Sequence, residues 1–447
     1  MKINKGFFKA KLINIFFNLC FSLKIKIFLK IFLQKYIVKK KSPKLIIYLS
    51  PQRSNYEVDF LIKNNFSLLK LPKLITNEII LFCVKKKINS NLSKRTKKDL
   101  NKINFFLKIF EEINLKLIIS PAYHYTYDNL FAKLFSSKEI KYLIFHREGY
   151  NFSKNHLISL KNFIRKNQHK ADKILVHNKM YENIFKKEIK DNQNKIEVLA
   201  PLRMQELIKY KNRNIKIKKP NKILFLSFTP AYAGGNPLKL GTLGQYGKLN
   251  KNNIKFVGQI KFNDQSDKLY DYEQFYFAHK VFFECILANP QYKFELRLKF
   301  NNDYNKELII NLCEKICGFI PKNFKIDEKN LWESISQSFF VCGYGSTGML
   351  EASILNKPVI QIINKNLLDP RKKLNNLRIS NHISSFKIVK TKKEFDKIFH
   401  KIVIKNKKLK EFVLLNKKAK LSFKNFIFNY KKNNNKKFLN IIFNLLK

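Results

Sequence analysis

Beyond Ser42-Pro43, short runs of consecutive apolar residues alternate with longer stretches whose apolar positions recur at helical spacing. An uninterrupted apolar run of this length reads as a strand covered on both faces, and such strands joined by helices form parallel sheets. In the first half of the chain the strands are predicted at 44–49, 79–84, 115–119, 142–146, 174–177 and 196–199. The polar stretch Lys218-Lys219-Pro220-Asn221 closes that series, as a linker would. A second series opens at 222–227 and continues through 293–298, 339–342 and 358–362, with helices expected at 278–288, 306–317, 331–337 and 349–355. The pattern predicts an α/β protein with two Rossmann-like, doubly wound parallel-sheet domains, residues 43–219 and 220–400, facing a cleft and followed by closing helices over 401–447.

The segment before this rhythm is different. Residues 1–42 hold no acidic side chain, while Phe7, Phe8, Leu12, Ile15, Phe16, Leu19, Leu23, Ile27 and Ile31 recur at roughly helical spacing among eleven lysines. This predicts one basic amphipathic helix ahead of the fold proper. Its longest uncharged run, residues 12–23, is 12 residues, against the roughly 20 needed to cross a bilayer. No small-residue cleavage site follows, which argues against a secretory signal. Two expectations remain, a helix lying on an anionic membrane surface or one packed on the domain.

Composition changes the picture little. With 447 residues, 45% hydrophobic and 27% charged, the chain can bury two substantial cores. The formal charge of +57 would suit a nucleic-acid partner, but only nine of the 89 basic residues are Arg, and base-edge recognition favours Arg. Lys, Asn, Ile and Phe are enriched along the whole chain, so the surplus reads as a genome-wide bias on solvated faces and nucleic acid is not the expected partner. Six cysteines lie scattered in apolar surroundings, without a disulfide framework. Cys313 and Cys317 share a helix face, but no second pair completes a zinc site. Reduced thiols fit a cytoplasmic protein, peripheral at most on the inner membrane face.

Candidate chemistry concentrates after the run at 339–342. Gly343-Tyr344-Gly345-Ser346-Thr347-Gly348 joins that strand to a helix carrying Glu351-Ala352, and Asn356-Lys357-Pro358-Val359 leads into the next strand. Glycines permit a tight turn and close backbone approach, and amides at a helix start face an anion. A diphosphate is the natural occupant; a plain connection in which Ser346 or Thr347 caps the helix is the alternative. The spacing is neither that of a Walker loop nor Gly-x-Gly-x-x-Gly. This stretch resembles the second-domain donor site of GT-B glycosyltransferases, in particular bacterial surface-polysaccharide (capsule and O-antigen) biosynthesis proteins near the polyol-phosphate transferases. The likeness spans about 45–400 in architecture, and its specific part is 339–362. It implies that Gly345, Ser346 and Thr347 hold the diphosphate of a nucleotide sugar and that Glu351 binds the ribose. The Lys-Pro-His pattern of the phosphotransferases is absent.

Further candidates follow other strand ends. Arg297 and Lys299 share a strand face and are expected to neutralise leaving-group phosphate; Gly234-Gly235, after 222–227, are expected to let backbone approach the donor. In the first domain, the loops 120–128 and 146–151 offer His124, His146 and Glu148 as the base that takes a proton from an acceptor hydroxyl, with 50–54 a weaker acceptor loop. The sequence has no Asp-x-Asp triplet, so a metal-independent reaction with no cofactor besides the donor is expected. The reading is transfer of a sugar from a nucleotide-diphosphate donor to a surface polysaccharide or lipid-linked glycan. Its rivals are a polyol-phosphate transferase or nucleotide-sugar epimerase on the same scaffold, and a non-catalytic glycan-assembly protein.

Overall fold

The computed structural model describes residues 5–50, 55–84, 96–146, 154–190, 193–213, 220–227, 266–298, 303–364, 386–404, 410–426 and 434–447. The chain forms two compact units: Met1–Gly149, Ile158–Glu206 and Phe426–Lys447 make the first, Tyr150–Leu157 and Leu207–Asn425 the second. The division at 206/207 lies ahead of the polar stretch at 218–221, and the tail expected as one closing segment is shared between the units.

The first unit opens with two helices, α1 (Lys5–Ser22) and α2 (Lys26–Gln34), where the pattern predicted one. The break falls at Lys24, whose φ of 55° is the left-handed conformation that ends helices. Nor does the segment stand ahead of the fold. Phe17, Cys20, Leu29 and Leu33 are buried, and the Phe17 ring meets Phe106 and Phe82 edge-on at 5.4 and 6.0 Å. Burying a phenylalanine this way contributes about 1.5–3 kcal/mol, enough to fix the pair of helices on the unit.

Strand β1 (Ile37–Val38) then runs antiparallel to β3 (Ser67–Leu69), which follows β2 (Leu45–Tyr48) and helix α3 (Asn55–Lys63). The run at 79–84, predicted as a strand, belongs instead to helix α4 (Lys73–Cys83). Its residues are apolar because Ile75, Ile79, Ile80, Phe82 and Cys83 are all buried, and a helix covered on several faces has the same unbroken apolar pattern as a central strand. Helix α5 (Lys97–Glu112), started by a reciprocal Thr96–Asp99 capping box, leads to β4 (Leu115–Ser120), α6 (Thr126–Phe135) and β5 (Lys141–His146). Then come α7 (Lys154–Lys166), β6 (Lys173–Val176), α8 (Lys179–Glu188), β7 (Ile196–Val198) and α9 (Arg203–Asn212). The sheet order is β1-β3-β2-β4-β5-β6-β7, parallel except for β1.

In the second unit, β8 (Lys222–Ser227) and α10 (Ser266–Ala288) precede β9 (Lys293–Leu298), α11 (Asp303–Cys317) and β10 (Phe324–Ile326). Helix α12 (Leu331–Ser336), β11 (Ser338–Gly343), α13 (Gly348–Ile354), β12 (Val359–Ile362), β13 (Lys387–Val389), α14 (Lys392–Phe399) and α15 (Lys410–Phe426) complete it. The last helix, α16 (Asn434–Leu446), belongs to the first unit, where Phe438 packs 5.4 Å from Phe145. The second sheet is wholly parallel, in the order β10-β9-β8-β11-β12-β13. One face of it packs Ile223, Phe225, Phe294, Phe340 and Ile360 against Phe282 of α10 and Phe399 of α14. The expected α/β class with two doubly wound sheets is therefore what the chain forms. All six cysteines are buried and unbonded.

Candidate functional site

Each sheet has one place where successive connections leave in opposite directions, and ligands of doubly wound sheets bind beyond the strand ends at such a place. In the second unit it lies between the neighbours β8 and β11, since β9 and β10 extend the sheet on one side and β12 and β13 on the other. The glycine turn leaves β11 there. Gly343 has φ 146°, and a Cβ on it would stand 2.5 Å from the Leu226 carbonyl oxygen, so only glycine lets β11 pass β8 this closely. Gly345 has φ 60° with open space where a Cβ would project. Ser346 and not Thr347 caps the following helix: its Oγ accepts from the Gly348 amide at 3.3 Å, while the Thr347 side chain makes no cap bond and is exposed. Among the described residues no protein group accepts from the amides of Gly345, Ser346 and Thr347. The turn thus presents three N–H donors and two hydroxyls at the switch point.

Behind the turn sits Glu351, buried to 1% exposure, with Oε2 accepting from the indole Nε1 of Trp332 at 2.7 Å. Trp332, the one tryptophan of the chain, is half-buried and has the Tyr210 ring at 5.8 Å. The sequence reading passed over both aromatic residues, although a single Trp at a helix start one strand upstream of the glycine turn was there to see. Arg297 needs correction. Its guanidinium donates to Asp327 Oδ2 at 2.9 Å and to the Lys329 carbonyl, and Asp327 is buried and also bound by Ser334 Oγ at 2.8 Å. A cation matched by a buried carboxylate ties β9 to the start of α12 and brings little net charge to a phosphate. Lys299, Gly234 and Gly235 lie outside the described residues.

In the first unit the switch point lies between β2 and β4. Ser50, after β2, adopts φ 48° and donates through Oγ to Asp128 Oδ2 at 2.8 Å. Asp128 belongs to α6, so this buried bond joins the two strand ends. The loop after β4 is clamped by Asn129, whose Nδ2 donates to the carbonyls of Ala122, Tyr123 and Tyr125 at 2.9, 2.7 and 2.9 Å. Tyr142 donates in turn to Asn129 Oδ1, and Tyr123 Oη donates to the Asn167 carbonyl at 2.7 Å. The loop is a fixed object.

Two of the predicted bases meet on it. His146, at the end of β5, is 1% exposed, and its Nδ1 accepts from the Tyr123 amide at 3.2 Å. That bond fixes the tautomer with the proton on Nε2. The ring is enclosed by Tyr181 and Phe185 at 5.4 and 5.2 Å. His124 stands beside it, with ring centroids 5.7 Å apart, and is half-buried rather than enclosed. His146 is therefore a loop-holding residue, and His124 is the more exposed imidazole of the two. Glu148 lies outside the described residues. A histidine the sequence reading left unused, His177, follows β6 and pairs its Nδ1 with the Leu199 carbonyl at 3.0 Å, while His169 Nε2 lies 3.2 Å from the Tyr123 carbonyl and burial holds its pKa down at about 4.

No family model matches the chain, and no curated protein is similar to it in sequence. Solved structures of similar shape include the wall teichoic acid polymerase TagF, with 13% identity over 98% of this chain and 97% of that one at a TM-score of 0.49. The UDP-GlcNAc 2-epimerase of Neisseria meningitidis, bound to UDP-GlcNAc, matches at 11% identity over 90% and 99% with a TM-score of 0.46. Anabaena HepE, in complex with UDP-glucose, matches at 8% identity over 90% and 99% with a TM-score of 0.43. The two-sheet architecture stands on the chain's own strand pairing.

Proposed function

We propose that the chain is a glycosyltransferase that moves a sugar from a nucleotide-diphosphate donor to a surface polysaccharide or lipid-linked glycan. The observation that carries this reading is the turn after β11, whose three consecutive amides meet no protein acceptor among the described residues at the sheet's switch point. A diphosphate offers oxygens enough for three amides and two hydroxyls, and negative charge grows on it as the glycosidic bond breaks. Charge-assisted bonds from a fixed backbone strengthen as that charge develops, so they favour departure of the nucleoside diphosphate. Glu351, 1% exposed and accepting from Trp332, ties α13 to α12, so the ribose contact expected of it is not part of this proposal.

The acceptor hydroxyl loses its proton to His124 as its oxygen attacks the anomeric carbon. Its fixed loop contributes by holding the imidazole in one orientation, an advantage in positioning rather than in raw basicity. No metal or further cofactor enters this scheme.

The test is donor binding by the Ser346→Ala/Thr347→Ala double variant, measured by calorimetry with UDP and CDP. Loss of two hydroxyl bonds to charged oxygens, at about 1.5 kcal/mol or more each, should weaken binding by roughly 100-fold, while loss of the Ser346 cap costs only about 1 kcal/mol of stability and leaves the fold intact. Unaltered affinity for both nucleotides would remove the donor site from this turn. Incubating the chain with a nucleotide sugar alone separates an epimerase, which would convert it, from a transferase, which leaves the sugar's configuration intact.

A further inference from the structure

Helices α1 and α2 each have two apolar faces. The inner ones, through Phe17, Cys20, Leu29 and Leu33, are buried. The outer ones are not: Leu12, Ile15, Leu19, Leu23, Ile27, Phe28 and Ile31 are each 48–57% exposed. Seven half-open large apolar side chains within twenty residues form a patch of the kind that marks an interaction surface, whereas isolated exposed hydrophobics mean nothing.

Charge names the partner. Lys9, Lys11, Lys24 and Lys35, which alternate with these residues along the two helices, are exposed, as are Lys39, Lys40 and Lys41 just after them. Lys26 and Lys30 are engaged with Glu112 of α5 and so help anchor the inner side. No carboxylate occurs in the first 56 residues. A second copy of the chain laid on this face would bring lysine against lysine, and Glu112, already engaged by Lys26 and Lys30, leaves most of that charge uncompensated. An anionic phospholipid headgroup supplies the missing charge, and the acyl boundary beneath it takes the apolar side chains. No described helix is long and apolar enough to span a membrane.

We propose that the outer faces of α1 and α2 dock in the plane of an anionic bilayer interface, with the inner faces fixed on the first unit. The patch belongs to the first unit and the turn after β11 to the second, so docking requires no donor and survives the Ser346/Thr347 substitutions.

The experiment is co-sedimentation of the full chain with phosphatidylglycerol-containing vesicles and with pure phosphatidylcholine vesicles. The native chain should bind the anionic vesicles and lose binding as salt is raised. Leu19→Glu/Ile27→Glu, at side chains already exposed, should reduce binding at least about tenfold with an unchanged unfolding midpoint, while Leu414→Glu on the exposed side of α15 should leave it intact. A triple Lys11, Lys24, Lys35→Gln variant should weaken binding to anionic vesicles and flatten its salt dependence. Equal binding of native and Leu19→Glu/Ile27→Glu chains would overturn the proposal. So would absence of vesicle binding together with a dimer that the same double substitution dissociates, since the face would then join two copies.

Discussion

The two units solve the problem at their switch points in opposite ways. In the second, what shapes the switch point is backbone: glycines at 343 and 345 form a turn whose amides at 345–347 meet no acceptor among the described residues, and Ser346 and Thr347 add hydroxyls. In the first it is side chain, with Ser50, Asp128, Asn129, Tyr123, His146 and Tyr142 locked to one another so that His124 is the half-open imidazole on a rigid loop. The difference follows the chemistry each end suits. An anion is held by dipoles that never titrate, whereas proton transfer needs one titratable group in a single orientation. Burial carries the contrast into stability, because the first unit commits polar groups to its strand ends and the second commits backbone strain.

The sharpest test of that contrast lies in the two neighbouring histidines. His124→Ala should lower turnover by roughly 10²–10⁴-fold while leaving the unfolding midpoint and donor affinity alone. His146→Ala should do the reverse in kind, costing about 2–3 kcal/mol of stability by stranding the Tyr123 amide and opening a cavity. Steady-state kinetics beside denaturant unfolding checks both, and equal losses of stability in the two variants would erase the distinction drawn between them.

Glycine substitutions probe the backbone solution next. Gly343→Ala places a Cβ 2.5 Å from the Leu226 carbonyl at φ 146° and should cost about 3 kcal/mol or more. Gly345→Ala meets open space at φ 60°, so its stability cost should be about 1 kcal/mol. Its larger effect should fall on nucleotide affinity, because the methyl enters the volume assigned to the diphosphate. Denaturant titration with and without UDP separates the two.

The last effect is confined to acid pH and is absent where the others are read. His279 is fully enclosed, with Nδ1 2.7 Å from the Phe275 carbonyl and Nε2 2.9 Å from Ser227 Oγ, and burial lowers its pKa from 6.5 to about 3. The folded state therefore refuses a proton that the unfolded chain accepts. Stability is unaffected above pH 6.5 and declines as pH falls from 6.5 toward 3, at up to about 1.4 kcal/mol per pH unit for this one group. His169 adds the same sign in the first unit between 6.5 and about 4. His279→Gln should flatten the pH dependence of unfolding in that window; an unchanged slope would mean that the ring is not kept neutral.

Most of both sheets was readable in the sequence. The segments 222–227 and 293–298 are strands to the residue: the first is a nearly continuous apolar run, and the second alternates Phe294, Leu296 and Leu298 with polar positions. The short strands β3, β10 and β13 were not predicted whereas β7, equally short, was, because three residues are too few to establish a period either way. The glycine turn was legible since only glycine tolerates its angles. Arg297 was misjudged because strand alternation says which face a side chain takes and nothing about the Asp327 that meets it thirty residues later.

By itself, then, the sequence determined the class of fold, the position of the glycine turn and a basic apolar segment at the start, all properties carried by local composition and spacing. Only the tertiary structure decided that 79–84 is helical, that the start is two helices with one face committed and one open, and that of two adjacent histidines His146 is enclosed and His124 accessible. The physical reason is that burial and hydrogen-bond partnership are properties of pairs of residues distant in the chain, and no local pattern encodes which distant partner arrives.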